Sequence, residues 1–273
     1  MSAPPGKPGR GTIAAFAVIS CAAAAAPAPL RSQAPIQDNS FLIEEAYNQE
    51  RGVVQHISTF DDGGAGTWEY AFTQEWSLGG IRHQLGFTLP LLDAGLGTGI
   101  GDVGINYRLQ AIGDPEAPLL LAPRVTLLLP TGSHTEARGT GGAGLQLNLP
   151  LSYVVAPRLV THWNAGATFI PAAAAPSGGS ASTRSVNLGA GIVWLLRPSV
   201  NLLFESVWTS DASAAGEGAT AREESAWVSP GIRAAFDAGG VQVVPGVAYV
   251  IGIGPSRGES LFLYLSLEHA FSK

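Results

Sequence analysis

His56 stands two residues before Ser58, so on a β-strand both side chains would point to one face. That spacing raises the question of a serine nucleophile, which needs a histidine base in reach and a third group to orient it. No flanking residue supplies the third group. The five histidines, His56, His83, His134, His162 and His269, are scattered without metal-site spacing. Gly99-Ile-Gly101-Asp-Val-Gly104 fits G-x-G-x-x-G. A dinucleotide site needs that run to follow a strand and open a helix. Here it precedes an alternating strand and reads as a turn. No cofactor or metal is expected, and the chain is not read as an enzyme.

A larger set of polar residues carries a clearer pattern. Glu69, Glu75, Asp102, Glu205 and Glu268 alternate with apolar neighbours, as do Arg82, Arg108, Arg124 and Arg233, with Asn106, His162 and Asn164 among them. On the inner face of a closed sheet they would line a lumen with five acids and four bases. A pore selective by charge carries an excess of one sign. Near balance instead predicts ion pairs filling a narrow interior, because charges withdrawn from bulk water must be paired or hydrated.

Such a lumen needs strands with two unlike faces, and period-two alternation supplies them. In 102–110, Asp102, Gly104, Asn106, Arg108 and Gln110 oppose Val103, Ile105, Tyr107 and Leu109. In 145–152, Leu145, Leu147, Leu149 and Leu151 oppose Gln146, Asn148 and Ser152. Twelve segments read this way: 52–60, 67–77, 81–90, 100–111, 118–130, 143–155, 159–170, 184–196, 200–209, 223–236, 241–252 and 259–271. Their lengths cluster near the ~9–11 residues that carry a tilted strand across a bilayer. Connections expected at 61–66, 91–99, 131–142, 171–183, 210–222 and 253–258 are mostly long, and those between them mostly short. That ordering belongs to outer-membrane barrels, with short periplasmic turns and longer outer loops. Trp68, Trp76, Trp163, Trp208, Phe169 and Phe271 fall near strand ends, where interfacial girdles form. The fold class is therefore all-β, a transmembrane antiparallel up-and-down barrel of about twelve strands.

Composition agrees. The 273 residues include 35 Gly and 19 Pro, a heavy load for helices. Charged residues are only 13%, with a net charge of −6, which disfavours nucleic acid as a partner. Mean hydropathy is +0.20, too low for a helical membrane protein. Lys7 and Arg10 precede the apolar run 12–26, so 1–34 reads as a signal peptide. Small residues at 26–28 and 32–34 offer cleavage sites, while Val18-Ile-Ser-Cys21 offers a lipidation site at the sole cysteine. After 1–34 come a periplasmic segment or plug at 35–51 and the barrel at 52–273.

Residues 41–60, FLIEEAYNQERGVVQHISTF, with 68–80, 99–110 and 122–132, resemble the outer-membrane β-barrels grouped under the MetA pathway of phenol degradation, often called transporters. The resemblance covers nearly all of the mature chain. It implies a Gram-negative outer-membrane barrel that passes small, aromatic or hydrophobic molecules. Leu263, Leu265, Leu267 and Phe271 resemble a barrel-assembly signal, with Ser272 and Lys273 beyond the usual terminal aromatic.

The expected function is thus a passive channel or facilitator, with outer-membrane lipid, a small-molecule solute and the barrel-assembly machinery as partners. The competing classes are a lipid hydrolase on a barrel scaffold and a non-conducting structural barrel. Nothing beside Ser58 resembles the serine motif of outer-membrane phospholipase. Residues 41–50 show little strand alternation and carry Glu44, Glu45 and Glu50. They are read as a plug whose acids meet Arg82, Arg108, Arg124 or Arg233, against the alternative of a solvated tether.

Overall fold

The computed structural model of the chain describes Ile36 and residues 38–271. The expected leader, its cleavage and lipidation sites with Cys21, and the last two residues lie outside the described residues. Twelve strands follow in the expected order: β1 (Val53–Gly64), β2 (Thr67–Ser77), β3 (His83–Asp93), β4 (Thr98–Ile100 with Val103–Leu109), β5 (Leu119–Leu121 with Arg124–Leu129) and β6 (Gly144–Asn148 with Leu151–Ala156). Then come β7 (Leu159–Ala174), β8 (Ser180–Arg197), β9 (Val200–Gly216), β10 (Ala219–Ala234 with Phe236–Ala238), β11 (Val241–Gly252) and β12 (Glu259–Ala270). Each strand pairs antiparallel with the next, and β12 returns to β1, from Val53 opposite Ala270 to Asp62 opposite Leu261. Closure leaves no unpaired sheet edge, which is the condition for strands to cross a bilayer.

Alternation sorts the two faces. Leu127, Leu145, Leu147, Leu188, Phe204 and Leu263 are exposed on the outside, with Trp163 54% and Trp194 50% exposed among them. Gln55, Asn106, Arg108, Asn148, His162 and Arg233 are buried within. The interior is less uniformly polar than the sequence suggests. Val193, Leu195, Leu203, Val244, Val250, Phe262 and Tyr264 form an apolar wall on the β8 to β12 side.

Strands β7 to β10 run longer than expected, at 16, 18, 17 and 16 residues in their main stretches. Much of the expected loops 171–183 and 210–222 is therefore strand, and residues 61–64 also continue β1. The excess over the ~9–11 residues of a bilayer crossing rises beyond the hydrocarbon. There the outer face meets water and the inner face packs small side chains, Ala214 with Ala173 and Ala181, so the residues of 211–216 show little contrast of polarity although their ladder with β10 continues to Gly216 opposite Ala219. Breaks in β5 and β6 fall at 122–123 and 149–150, where Pro123 and Pro150 have no N–H to give the ladder.

Leu147 tests the outward face. Leu147→Arg should destabilise the barrel by about 2–4 kcal/mol in lipid, the cost of a charge in the hydrocarbon. Ser213→Arg, on the part of β9 that rises past the bilayer, should change it by less than about 0.5 kcal/mol. Urea titration in vesicles, followed by heat-modifiable gel migration, reads both; equal effects would contradict this placement of the membrane.

Candidate functional site

Ile36 and residues 38–50 run through the interior without joining the sheet, so their backbone groups need partners from wall side chains. Glu205 on β9 accepts the backbone N–H groups of Phe41, Leu42 and Ile43 at 3.2, 3.1 and 3.2 Å. Asn164 on β7 holds Glu44 from both sides, its Oδ1 accepting the N–H at 3.0 Å and its Nδ2 donating to the carbonyl at 2.8 Å. The Ala46 N–H donates to Ser152 Oγ at 2.8 Å and the Gln49 N–H to Gln84 Oε1 at 2.6 Å. Arg233 donates to the carbonyls of Ile36, Asp38 and Asn39, and Arg108 to those of Glu45 and Tyr47.

Opposite charges meet along the same path. Glu44 Oε1 lies 2.7 Å from Arg124 and accepts from Asn148 Nδ2 at 2.7 Å, while Oε2 is 3.8 Å from Arg108. Glu45 Oε1 lies 3.0 Å from Arg233 and accepts from Ser40 Oγ at 2.7 Å; Oε2 is 3.8 Å from His162. Arg108 also meets the wall acid Glu75 at 3.5 Å. Two unit charges 4 Å apart attract by about 4 kcal/mol at an effective dielectric near 20, from which the cost of leaving water must be subtracted. Among the described residues Asp38 has no such short ion pair. Its Oδ1 accepts from Tyr264 Oη at 2.6 Å, Gln55 Nε2 at 2.5 Å and the Asn39 N–H at 2.8 Å. Burial pushes its carboxyl up from the ordinary 3.8 to about 6, against the pull of Arg233, Tyr264 and the Asn39 N–H, with Glu45 adding to the rise.

Shape complements charge. The Phe41 ring lies 5.4 Å from Tyr264 and 5.8 Å from Phe262 by centroid. It sits over Gly231 and Gly246, where an added Cβ would come within 2.6 Å of the ring at both positions. Ile43 fits Gly189 and Gly191 in the same way, at 2.5 and 2.8 Å. These wall glycines make room for the two apolar side chains of the segment.

Two cavities flank the segment. One of about 330 Å³ is bounded by Leu42, Ile43 and Glu44 and by amide and hydroxyl side chains of β6 to β9. The other, of about 430 Å³, has Ile36, Val154, Val160, Val193 and Leu195 on its walls, with Tyr47, His162 and Arg233 among them.

The residues singled out from sequence do not all gather here. Arg108, Arg124, Arg233, His162, Asn164, Glu75 and Glu205 meet the segment or its partners as described. Asn106 is buried in the wall between Thr88 and Thr126. Glu268 faces inward beside Gln49. Glu69 is exposed opposite Asp61, toward the end of the barrel remote from the termini. Arg82 is exposed in the turn before β3, and among the described residues no ion pair joins it to the acids of the segment. Glu50 is also exposed; its carbonyl, not its carboxylate, accepts from Val53 N–H and Ser77 Oγ. Asp102 holds the loop 130–143, accepting from the Gly132 N–H, the Thr140 N–H and Thr140 Oγ1. Gly99 makes room for the Arg138 guanidinium of that loop, since a Cβ there would lie 2.5 Å from Nε.

His56 and Ser58 are not partnered. His56 Nε2 lies 3.2 Å from His269 Nε2, and Ser58 Oγ 3.1 Å from Tyr70 Oη. Among the described residues no cluster of His, Cys, Asp or Glu could hold a metal ion. Sequence reasoning missed Asp38, Phe41, Ile43 and the four glycines. Gly189, Gly191, Gly231 and Gly246 on otherwise inward-facing positions were the available signal.

No known family pattern matches the chain, and no curated protein sequence matches it. Solved structures do. The COG4313 outer membrane channel from Pseudomonas putida F1 is 14% identical over 83% of this chain and 98% of that one, with a TM-score of 0.62. The NanC porin is 8% identical over 79% of this chain and 98% of its own, with a TM-score of 0.55. The fold is that of the outer-membrane channel barrels.

Filling the glycine-lined recess should expel Phe41. Gly246→Val is expected to weaken docking of the segment by about 1–3 kcal/mol, the usual cost of overpacking. A nitroxide on Leu42→Cys would report it as a gain in mobility, and an unchanged spectrum would show that the recess does not hold the segment. The same label tests Asp38. The docked state binds this proton more tightly than a solvated Asp, so between pH 4 and 6 Asp38 makes docking weaken as pH rises. Asp38→Asn should flatten the response; a wild-type segment that tightens across this window would reverse the sign.

Proposed function

We propose that the protein is a passive outer-membrane channel for small molecules, with residues 36–50 as its plug. The observation that carries this reading is the segment itself: Glu44 and Glu45 are paired to Arg124, Arg108 and Arg233 in the middle of the lumen, with a cavity on either side. A solvated tether would have no reason to satisfy its backbone on wall side chains. Volumes of about 330 and 430 Å³ lie at the low end for small-molecule sites, ~300–1,000 Å³. The larger one sets an apolar wall against Glu45, Glu50, His162 and Arg233 and suits a small aromatic or aliphatic solute that carries a polar group, in keeping with the resemblance to the phenol-degradation barrels. Outer-membrane lipid and the barrel-assembly machinery are the other partners this reading assigns.

Planar-bilayer conductance and liposome swelling test the reading. Deleting residues 41–49 should raise single-channel conductance severalfold and make it noisier, with heat-modifiable migration retained. Glu45→Gln should do part of the same, more so at low salt, since screening weakens the pairs it disturbs. A deletion protein as silent as the wild type would favour a non-conducting structural barrel.

A further inference from the structure

The Glu44 side chain is bound as a ligand would be. Arg124 and Asn148 Nδ2 both reach one carboxylate oxygen at 2.7 Å, and Arg108 stands 3.8 Å from the other. Arg108 is only 2% exposed and Asn148 6%. Glu44, Arg124 and Asn148 line the cavity of about 330 Å³, to which Arg124 and Glu44 are both open, while Arg108 stands behind Glu44, off the cavity wall. Polar capacity is left over: Arg124 Nε, Asn148 Oδ1 and Glu44 Oε2 have no hydrogen-bond partner among the described residues. Gln146, Thr168, Ser185, Asn187 and Thr209 give that cavity a polar side, with Val186, Val207 and Asp211 also on its wall.

We infer that Arg124, Arg108 and Asn148 form a carboxylate-binding site for a small hydroxylated acid, and that Glu44 is its internal competitor. A solute carboxylate would take the donors that Glu44 now holds, while its hydroxyls meet the amide and hydroxyl wall. Once displaced, Glu44 loses its counter-charges beside Glu45. Its backbone clamp on Asn164 then opens, and the segment loosens around Ile43. Binding and loosening are thereby coupled, and the coupling is reciprocal. The inference deepens the plug reading above, and its test measures binding, so a barrel that does not conduct would leave it standing.

Calorimetry on the full mature chain in detergent, with gluconate as probe and sorbitol as its uncharged counterpart, decides it. Gluconate should bind the wild type and sorbitol should not. Glu44→Gln removes the competitor and should tighten gluconate binding by about tenfold, because the site is then free in a larger fraction of molecules. Arg124→Gln should abolish binding in either background. A merely structural ion pair predicts the opposite for Glu44→Gln, namely weaker binding or none, and that result overturns the inference, as does equal binding of sorbitol. Hydrogen exchange on the wild type gives a second reading that needs no substitution. Gluconate, and not sorbitol, should speed exchange at the amides of residues 41–46, and unchanged exchange under saturating gluconate overturns the coupling.

Discussion

A charge inside a narrow membrane barrel cannot be left alone, and the interior of this one is arranged around that requirement. The wall supplies three buried or half-buried arginines and does not itself supply enough acids in reach. Glu75 meets Arg108, but Arg124 and Arg233 find their carboxylates on the segment. Conversely Glu205, a wall acid, takes no short ion pair and is satisfied by three backbone N–H groups of the same segment. Wall and segment are therefore complementary halves of one polar core. Neither half is complete without the other.

The two kinds of complementarity do different work. Coulomb attraction is long in range and tolerant of small shifts, so it brings the acidic stretch into the lumen without fixing its position. Hydrogen bonds from the Glu44 and Ala46 N–H groups to Asn164 and Ser152 are short and directional, and they set which residue of the segment lies at which height. Opposite them, the apolar wall around Phe262 and Tyr264 receives the Phe41 ring, so burial of aromatic surface adds to the polar contacts. The interior thus resembles the core of a soluble protein in its mixture of packing and polar satisfaction. The outside, with Leu145, Leu147 and Leu263 exposed, resembles such a core turned outward.

Much of the fold could be read from alternation, because a strand between lipid and lumen must present unlike faces. The signal failed where that contrast ends. Past the bilayer the outer face of β8 to β10 meets water and the inner face packs small residues such as Ala181 and Ala214, so 210–222 looked like a loop although its backbone ladder continues. The arginines of the lumen were legible for the same reason as the strands, whereas Arg82 shares their parity and still ends in a turn. Parity gives direction and says nothing of where a strand begins. Asp102 likewise points inward, yet it is engaged by Thr140 of a loop far off in sequence. Phe41 and Ile43 were illegible because an irregular segment has no period, and its contacts are set by the surface that receives it.

The register of the segment is written on the wall in part as missing side chains. Gly189, Gly191, Gly231 and Gly246 contribute by what they lack, and every substitution at them adds atoms where Phe41 or Ile43 already stands. Trimming Phe41 or Ile43 has a cost of its own, the void it leaves between segment and wall. The constraint is accordingly shared by both sides of the contact. Across related chains the four wall positions should change slowly and only in company with 41 or 43. A pattern of linked change between remote strands and an irregular leader would then be the inherited trace of a contact that no periodicity in either partner reveals.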